Sequence, residues 1–322
     1  MAKIGCQASH EQFKPSELLK YVQLAEQAGF THVLSSDHFH PWSEQQGQSG
    51  FAWSWLGAAM QATPTLSYRV VCAPGQRYHP AIIAQAAATL TEMFPNRFVL
   101  TVGSGQALNE QITGEVWPTK AKRNARLKEC VDVMRALWAG ETVTHHGLVC
   151  VEEAKLYTRP EIPPPIIGAA VTAKTAEWLA SWADGLITIS HPLPKLKEVV
   201  EAFRQGGGEN KPMILKVQLS YDLNEETAQQ KAYEQWRNNI FENILMTELR
   251  TPQQFDAAGQ FVQPQEMKEF VRISADPEQH IQWLQEYIEL GFDEIILHNV
   301  NREQEQFIEV FGEKVLPRLT NN

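Results

Sequence analysis

Eight short runs rich in apolar and β-branched residues recur along the chain, with helical stretches between them. They are Lys3–Ala8, Thr31–Leu34, Tyr68–Ala73, Arg97–Gly103, Pro165–Ala169, Gly185–Ile189, Met213–Leu219 and Glu294–His298. Several, such as RFVLTVG, DGLITIS and DEIILHN, are apolar almost throughout rather than alternating. Parallel strands covered on both faces read this way. Helical spacing fills the intervals at Pro15–Ala28, Pro80–Met93, Lys120–Trp138, Ala173–Trp182, Leu193–Phe203, Glu225–Leu245, Pro277–Glu289 and Arg302–Pro317. Eight β/α repeats in 322 residues predict one (β/α)8 TIM barrel over residues 1–322. An open doubly wound sheet is the alternative. Against it, the first strand runs into SHEQFKPSE and not into a glycine-rich nucleotide turn. Two longer stretches, Leu108–Thr119 and Thr247–Gln263, interrupt the spacing and read as insertions at or beside the site end of the barrel.

Charge narrows the partners. The net charge is −10, and no Lys/Arg run stands out, which argues against nucleic acid or an anionic membrane. No apolar run reaches membrane-spanning length, and the first residues lack the apolar stretch of a secretory signal. Cys6, Cys72, Cys130 and Cys150 are scattered without a C-x-x-C pair. Free thiols and a cytoplasmic protein are the expectation.

The stretch SSDHFHPW at Ser35–Trp42 directly follows the second strand. In a parallel barrel that is the end where chemistry sits. A neutral imidazole at His38 can take a proton from a substrate hydroxyl. Asp37 can steady that imidazole or meet a polar cofactor edge, and Trp42 can wall a ring. The plainer reading is a helix cap beside a surface histidine. Other strand ends supply Glu11, the run Val70-Val71-Cys72-Ala73-Pro74, and Gly103-Ser104-Gly105-Gln106-Ala107-Leu108-Asn109-Glu110. Glycines there let backbone amides approach a ligand, although a tight turn needs them equally.

A set of motifs, taken in order, carries a resemblance. They are EQF at Glu11–Phe13, S-DHF-PW at Ser36–Trp42, RYHPAIIAQA at Arg77–Ala86, PNR at Pro95–Arg97, GSGQALNE at Gly103–Glu110, ARL–MR-LW-G at Ala125–Gly140 and SYD at Ser220–Asp222. Nearly end to end, the chain resembles the luciferase-like flavin oxidoreductases, and most closely the F420-dependent glucose-6-phosphate dehydrogenase branch. The resemblance implies a barrel with insertions, a deazaflavin or flavin ring at the strand ends, and a homodimer. It implies a cis peptide at Val70–Val71 behind the ring. It implies that Asp37 contacts the cofactor, that His38 is the base, and that Trp42 and Glu11 shape the substrate side. Ala73, Ser104, Gly105, Asn109 and the Ala169-Ala170 backbone would complete the cofactor bed.

Three departures from that branch bear on chemistry. Gln106 stands where the branch has a glutamate proposed as an acid, and an amide cannot shuttle a proton. Pro192, Ala257 and Phe270 stand at the basic positions that hold the sugar phosphate. Without those cations a phosphate loses charge-assisted hydrogen bonds, so the expected substrate is not glucose 6-phosphate unless Lys195, Lys211 or Arg272 replaces them. Val171-Thr172 replaces a glycine pair that admits the cofactor tail, which leaves FMN as well as coenzyme F420 open.

His145-His146 lack the companions of a metal site and read as a solvated turn, so no metal is expected. His79 reads as a helix cap, and Trp53, Trp55, Trp178 and Trp182 as packing. His298 ends the last strand at the site end. No G-x-S-x-G elbow supports hydrolysis. The sequence thus implies hydride transfer between a ring cofactor and a small alcohol or carbonyl. A reduced-FMN monooxygenase and a flavin-binding protein without turnover are the alternatives.

Overall fold

In the computed structural model, which describes residues 2–320, the eight expected runs close into a parallel barrel. Its strands are β1 Lys3–Ala8, β2 His32–Ser35, β3 Ser67–Cys72, β4 Phe98–Val102, β5 Ile166–Ala169, β6 Gly185–Ile189, β7 Met213–Ser220 and β8 Glu294–Asn299. Each pairs in parallel with its sequence neighbours. The β8–β1 ladder closes the cylinder, with Gly5 opposite Ile296. A two-residue strand, Arg272–Ile273, adds to the end of β7.

Alternation along the strands divides the core into two layers. Leu34, Ile167, Ile187, Ile214 and Ile296 fill the lumen with Val71, Val99 and Ala169. Their neighbours Val33, Val70, Leu100, Ile166, Leu186, Leu215 and Ile295 face outward into the main core. Each fully buried aliphatic side chain contributes about 1.5–3 kcal/mol. The floor of the lumen is polar: Arg69 is ion-paired with Glu294, and His32 Nε2 lies 3.6 Å from the same carboxylate.

The outer helices are α1 Pro15–Gln27, α2 Ala52–Ala62, α3 Pro80–Met93, α4 Lys120–Ala139, α5 Ala173–Ala180, α6 Leu193–Phe203, α7 Glu225–Trp236, α8 Pro252–Gly259, α9 Pro277–Glu289 and α10 Gln304–Val310. Several start with proline, whose missing N–H costs nothing there. His79 caps α3, accepting from the Ala81 amide.

Three features depart from the sequence reading. The helix expected over Glu225–Leu245 stops at Trp236, where a 3-10 turn over Arg237–Asn239 replaces it. His145 and His146 lie in an antiparallel hairpin of Val143–His146 with Cys150–Ala154, not in a turn. They pair with Glu129 and Glu152 at 2.9 and 3.2 Å. The Val70–Val71 bond is trans, and no cis peptide occurs among the described residues. Both residues hold ladder positions, opposite Leu100 and Thr101, and a trans bond keeps β3 in that register.

Candidate active site

Several lumen-facing residues at the C-terminal strand ends are partly exposed, among them Gln7, Ser36, Val71, Gly103, Ala169 and Ile189. His38 stands on this rim. Its Nδ1 lies 3.2 Å from the His40 carbonyl, which can only accept, so Nδ1 carries the hydrogen and Nε2 is bare. Nε2 is 3.5 Å from Glu11 Oε1. Trp42 lies against the imidazole, with ring centroids 4.7 Å apart.

Glu11 is held deep in the rim. The Ser9 and Ser36 hydroxyls donate to its Oε2 at 3.1 and 2.5 Å. Burial pushes the Glu11 carboxyl up, but His38, Ser36, the backbone and Lys216 outweigh it and bring it below the usual range. Burial also depresses His38 below the ordinary histidine value, against the pull of Glu11. The direction that satisfies both is an ionised Glu11 beside a neutral His38. A bare imidazole nitrogen beside a carboxylate accepts a proton, and the carboxylate then steadies the imidazolium.

The expected neighbours of His38 are present, some in other roles. The Asp37 side chain is 1 % exposed, and Tyr78 Oη donates to its Oδ1 at 2.9 Å. Arg77 Nη2 lies 3.3 Å from Asp37 Oδ2 and donates to the Asp37 carbonyl at 2.8 Å. Arg77 also approaches Glu110, whose Oε2 accepts from the Arg77 amide at 3.0 Å. This buried group locks the loops after β2, β3 and β4 together, and no short-range pattern revealed it. Burial raises both Asp37 and Glu110, with Arg77 opposing. Asn109 Oδ1 accepts from the amides of Phe39 and His40 at 2.9 and 3.3 Å, so it too fixes the His38 loop. Trp42 packs against Phe255 of α8 and Leu108, which ties the Thr247–Gln263 insertion to the rim.

Next to His38 lies a bed of small residues. Val71, Ala73, Gly103, Gly105 and Ala169 are all partly exposed. A Cβ on Gly103 would stand 3.7 Å from that of Ala169, which places β4 and β5 ends in contact. Gly105 has φ +83°, and a Cβ there would come within 3.2 Å of Ala73 and 3.3 Å of Trp117. Ser104 Oγ accepts from Lys120 Nζ at 2.8 Å. Val70 is fully buried in the outer layer, so only Val71 of the pair presents a side chain to the lumen. Ala170 is buried and Val171 partly exposed, while Thr172 caps α5 by accepting from the Thr175 amide. Gln106 begins the short helix Ala107–Glu110, and its amide is bonded to none of the described residues.

The phosphate positions carry no cation, and two of the three named substitutes, Lys211 and Arg272, are engaged elsewhere. Lys211 precedes β7 at the opposite end and donates to the Ala180 carbonyl at 2.6 Å. Arg272 donates to Tyr287 at 2.9 Å. Lys195 is exposed on α6. Sequence reasoning missed Lys216, a lysine set in the apolar strand MILKVQLS on the lumen parity of Ile214. That placement was its available signal.

A rim of this kind suits a barrel oxidoreductase that uses a planar ring cofactor. The sequence agrees: residues 1–294 match the luciferase-like monooxygenase family, and the chain belongs to it. It is 36% identical to an F420-dependent glucose-6-phosphate dehydrogenase of Microbacterium testaceum, covering 98% of this chain and 97% of that one. A solved F420-dependent secondary alcohol dehydrogenase, in complex with an F420-acetone adduct, superposes with TM-score 0.91 at 31% identity, covering 99% of each chain. The coenzyme F420 dependent tetrahydromethanopterin reductase of Methanopyrus kandleri shares the fold, with TM-score 0.79 at 17% identity.

Proposed function

We propose that this oxidoreductase moves hydride between coenzyme F420 and the carbon of a small alcohol or carbonyl compound, and that glucose 6-phosphate is not its substrate. The observation that carries the reading is the bare Nε2 of His38, with ionised Glu11 3.5 Å from that same nitrogen. The F420 dependence of similar proteins over nearly the full chain supports the cofactor. The bed of small residues suits a flat tricycle: its members have no Cβ or only a short side chain, and a Cβ at Gly105 would crowd Glu110, Ala73 and Trp117.

Bound there, an oxidised deazaflavin supplies a hydride acceptor. Val71, Ala73, Ser104, Gly105 and the Ala169–Thr172 segment would hold it, with Asp37 fixing the loop beneath them. Lys120 beside Ser104 offers a cation toward a phosphate-bearing tail. His38 Nε2 takes the proton of the substrate hydroxyl, and Glu11 stabilises the charge it gains. Trp42 keeps the imidazole turned to the substrate and excludes water from one face. Gln106 can donate a hydrogen bond to the substrate oxygen but supplies no proton.

Titration of the purified protein with F420 and with FMN, followed by absorbance, tests the cofactor. Propan-2-ol oxidation monitored as loss of the deazaflavin band tests the reaction. Selective F420 binding with turnover is expected. Binding of FMN alone, or oxygen consumption with reduced FMN, would overturn the reading.

A further inference from the structure

One lumen-facing cation lacks a counter-ion of its own. Lys216 lies mid-β7, flanked in the ladders by Ile296 and Ile189. The residue is half-buried, and its ammonium makes no hydrogen bond and no ion pair with any described residue and lies 5.7 Å from the Trp236 ring centroid. Burial pushes its pKa down to about 8, against the attraction of Glu11.

Two acceptors without donors lie just above it. Gln12 Nε2 donates to the Val300 carbonyl at 2.7 Å and to Gln235 Oε1 at 3.2 Å, which turns the Gln12 oxygen toward His298 Nε2, 3.2 Å away. The hydrogen of His298 is therefore on Nε2, and its buried Nδ1 is a lone pair without a partner. Gln7 Oε1 is buried and unpartnered as well. Gln7 and His298 each sit two positions beyond the Gly5–Ile296–Lys216 level on their strands. Trp236 stands edge-on to His298 at 4.6 Å and so walls both groups.

Charge decides what belongs there. Glu11 is already engaged by His38 and two serine hydroxyls. When His38 gains a proton, Glu11 is its counter-ion, and Lys216 is left unbalanced. An ammonium partly withdrawn from water needs an anion, and a neutral oxygen replaces only part of that interaction. We propose that Lys216 binds a carboxylate of the substrate, so that the preferred substrates are small hydroxy acids and their oxo acids, not neutral alcohols. His298 Nδ1 and Gln7 Oε1 accept from hydroxyls or waters beside that carboxylate. This rests on the oxidoreductase reading above and names its substrate class.

Calorimetric titration with oxamate, with and without F420, tests the subsite directly. Lys216→Met removes the charge at similar volume, and Lys216→Arg keeps it. Wild type is expected to bind oxamate. Lys216→Met should weaken it by about 30-fold, the scale of one charged hydrogen bond, and Lys216→Arg by less. With F420, the kcat/KM ratio of lactate over propan-2-ol should exceed one in wild type and fall by a similar factor in Lys216→Met. Should the methionine variant fail to fold by circular dichroism, the arginine variant and the wild-type substrate ratio decide. Equal oxamate affinity in the methionine variant, or a wild-type preference for propan-2-ol, would overturn the proposal. Wild type that binds F420 but not oxamate refutes the subsite alone; wild type that binds oxamate but not F420 refutes the cofactor reading and leaves the subsite standing.

Discussion

Replacing Arg77 by Met should expose how the catalytic loop is held. The Arg77, Asp37 and Glu110 side chains are 7, 1 and 3 % exposed. The guanidinium faces one carboxylate at 3.3 Å, the other at 3.5 Å, and a backbone carbonyl at 2.8 Å. Breaking a buried pair by removing one partner costs about 3–5 kcal/mol, because the remaining charge is stranded. Here two carboxylates are stranded, and each can escape by taking a proton, at about 1.4 kcal/mol per pH unit. Both acids already titrate above their usual values in the folded chain. Without Arg77 they move further up. A carboxyl raised on folding contributes stability at low pH that is lost as pH rises through its folded pKa. The penalty should therefore be roughly 3–5 kcal/mol at pH 8 and under about 2 kcal/mol at pH 5. Urea unfolding of wild type and Arg77→Met at both pH values measures it. A loss below about 1 kcal/mol at pH 8, or one independent of pH, would refute the reasoning.

Phe255→Ala opens a cavity beside Trp42 and should cost about 3–5 kcal/mol while raising KM for the alcohol, as read by urea midpoint and steady-state kinetics. Gly105→Ala forces a side chain onto φ +83° against Ala73, and should cost about 1–3 kcal/mol and weaken F420 binding in an absorbance titration. His280 is buried among Tyr221, Trp283 and Phe311, and burial lowers its pKa to about 4. The unfolded chain binds that proton first, so this stability is complete above about pH 6.5 and fades toward pH 4. About 2–3 kcal/mol should be lost by pH 4.5 at this site, and His280→Gln should unfold with a correspondingly shallower acid slope.

Much of the barrel was legible because its strands are buried on both faces and read as apolar runs. α2 was not, although it is mostly buried: its outer face is marked only by Ser54, Ala58 and Gln61, a stripe too weakly polar to stand out in AWSWLGAAMQA. The end of α7 at Trp236 was equally hidden, since the following residues keep helical spacing until the tertiary packing of α8 overrides it. At the site, Glu11, His38 and Trp42 were readable from their place after β1 and β2, and the structure brings them together. The partners of Asp37 were not, because Arg77 lies 40 residues away and only the fold joins them. The trans bond at Val70–Val71 shows the opposite error, in which a resemblance was carried onto a residue pair that the ladder keeps regular. Lys216 was passed over as part of an apolar strand, although its lumen parity marked it.

The central claim is that His38 Nε2 receives the substrate proton. The rate constant of the first turnover of alcohol oxidation, measured from pH 5 to 9 in F420-loaded wild type and His38→Asn, tests it most directly. Wild type should be flat at high pH and fall about tenfold per pH unit below a pKa under the usual histidine value, because the base must be neutral. The variant should bind F420 normally, lose about 10²–10⁴-fold in rate and lose that acid limb. A variant that keeps both the wild-type rate and the same limb would contradict the account.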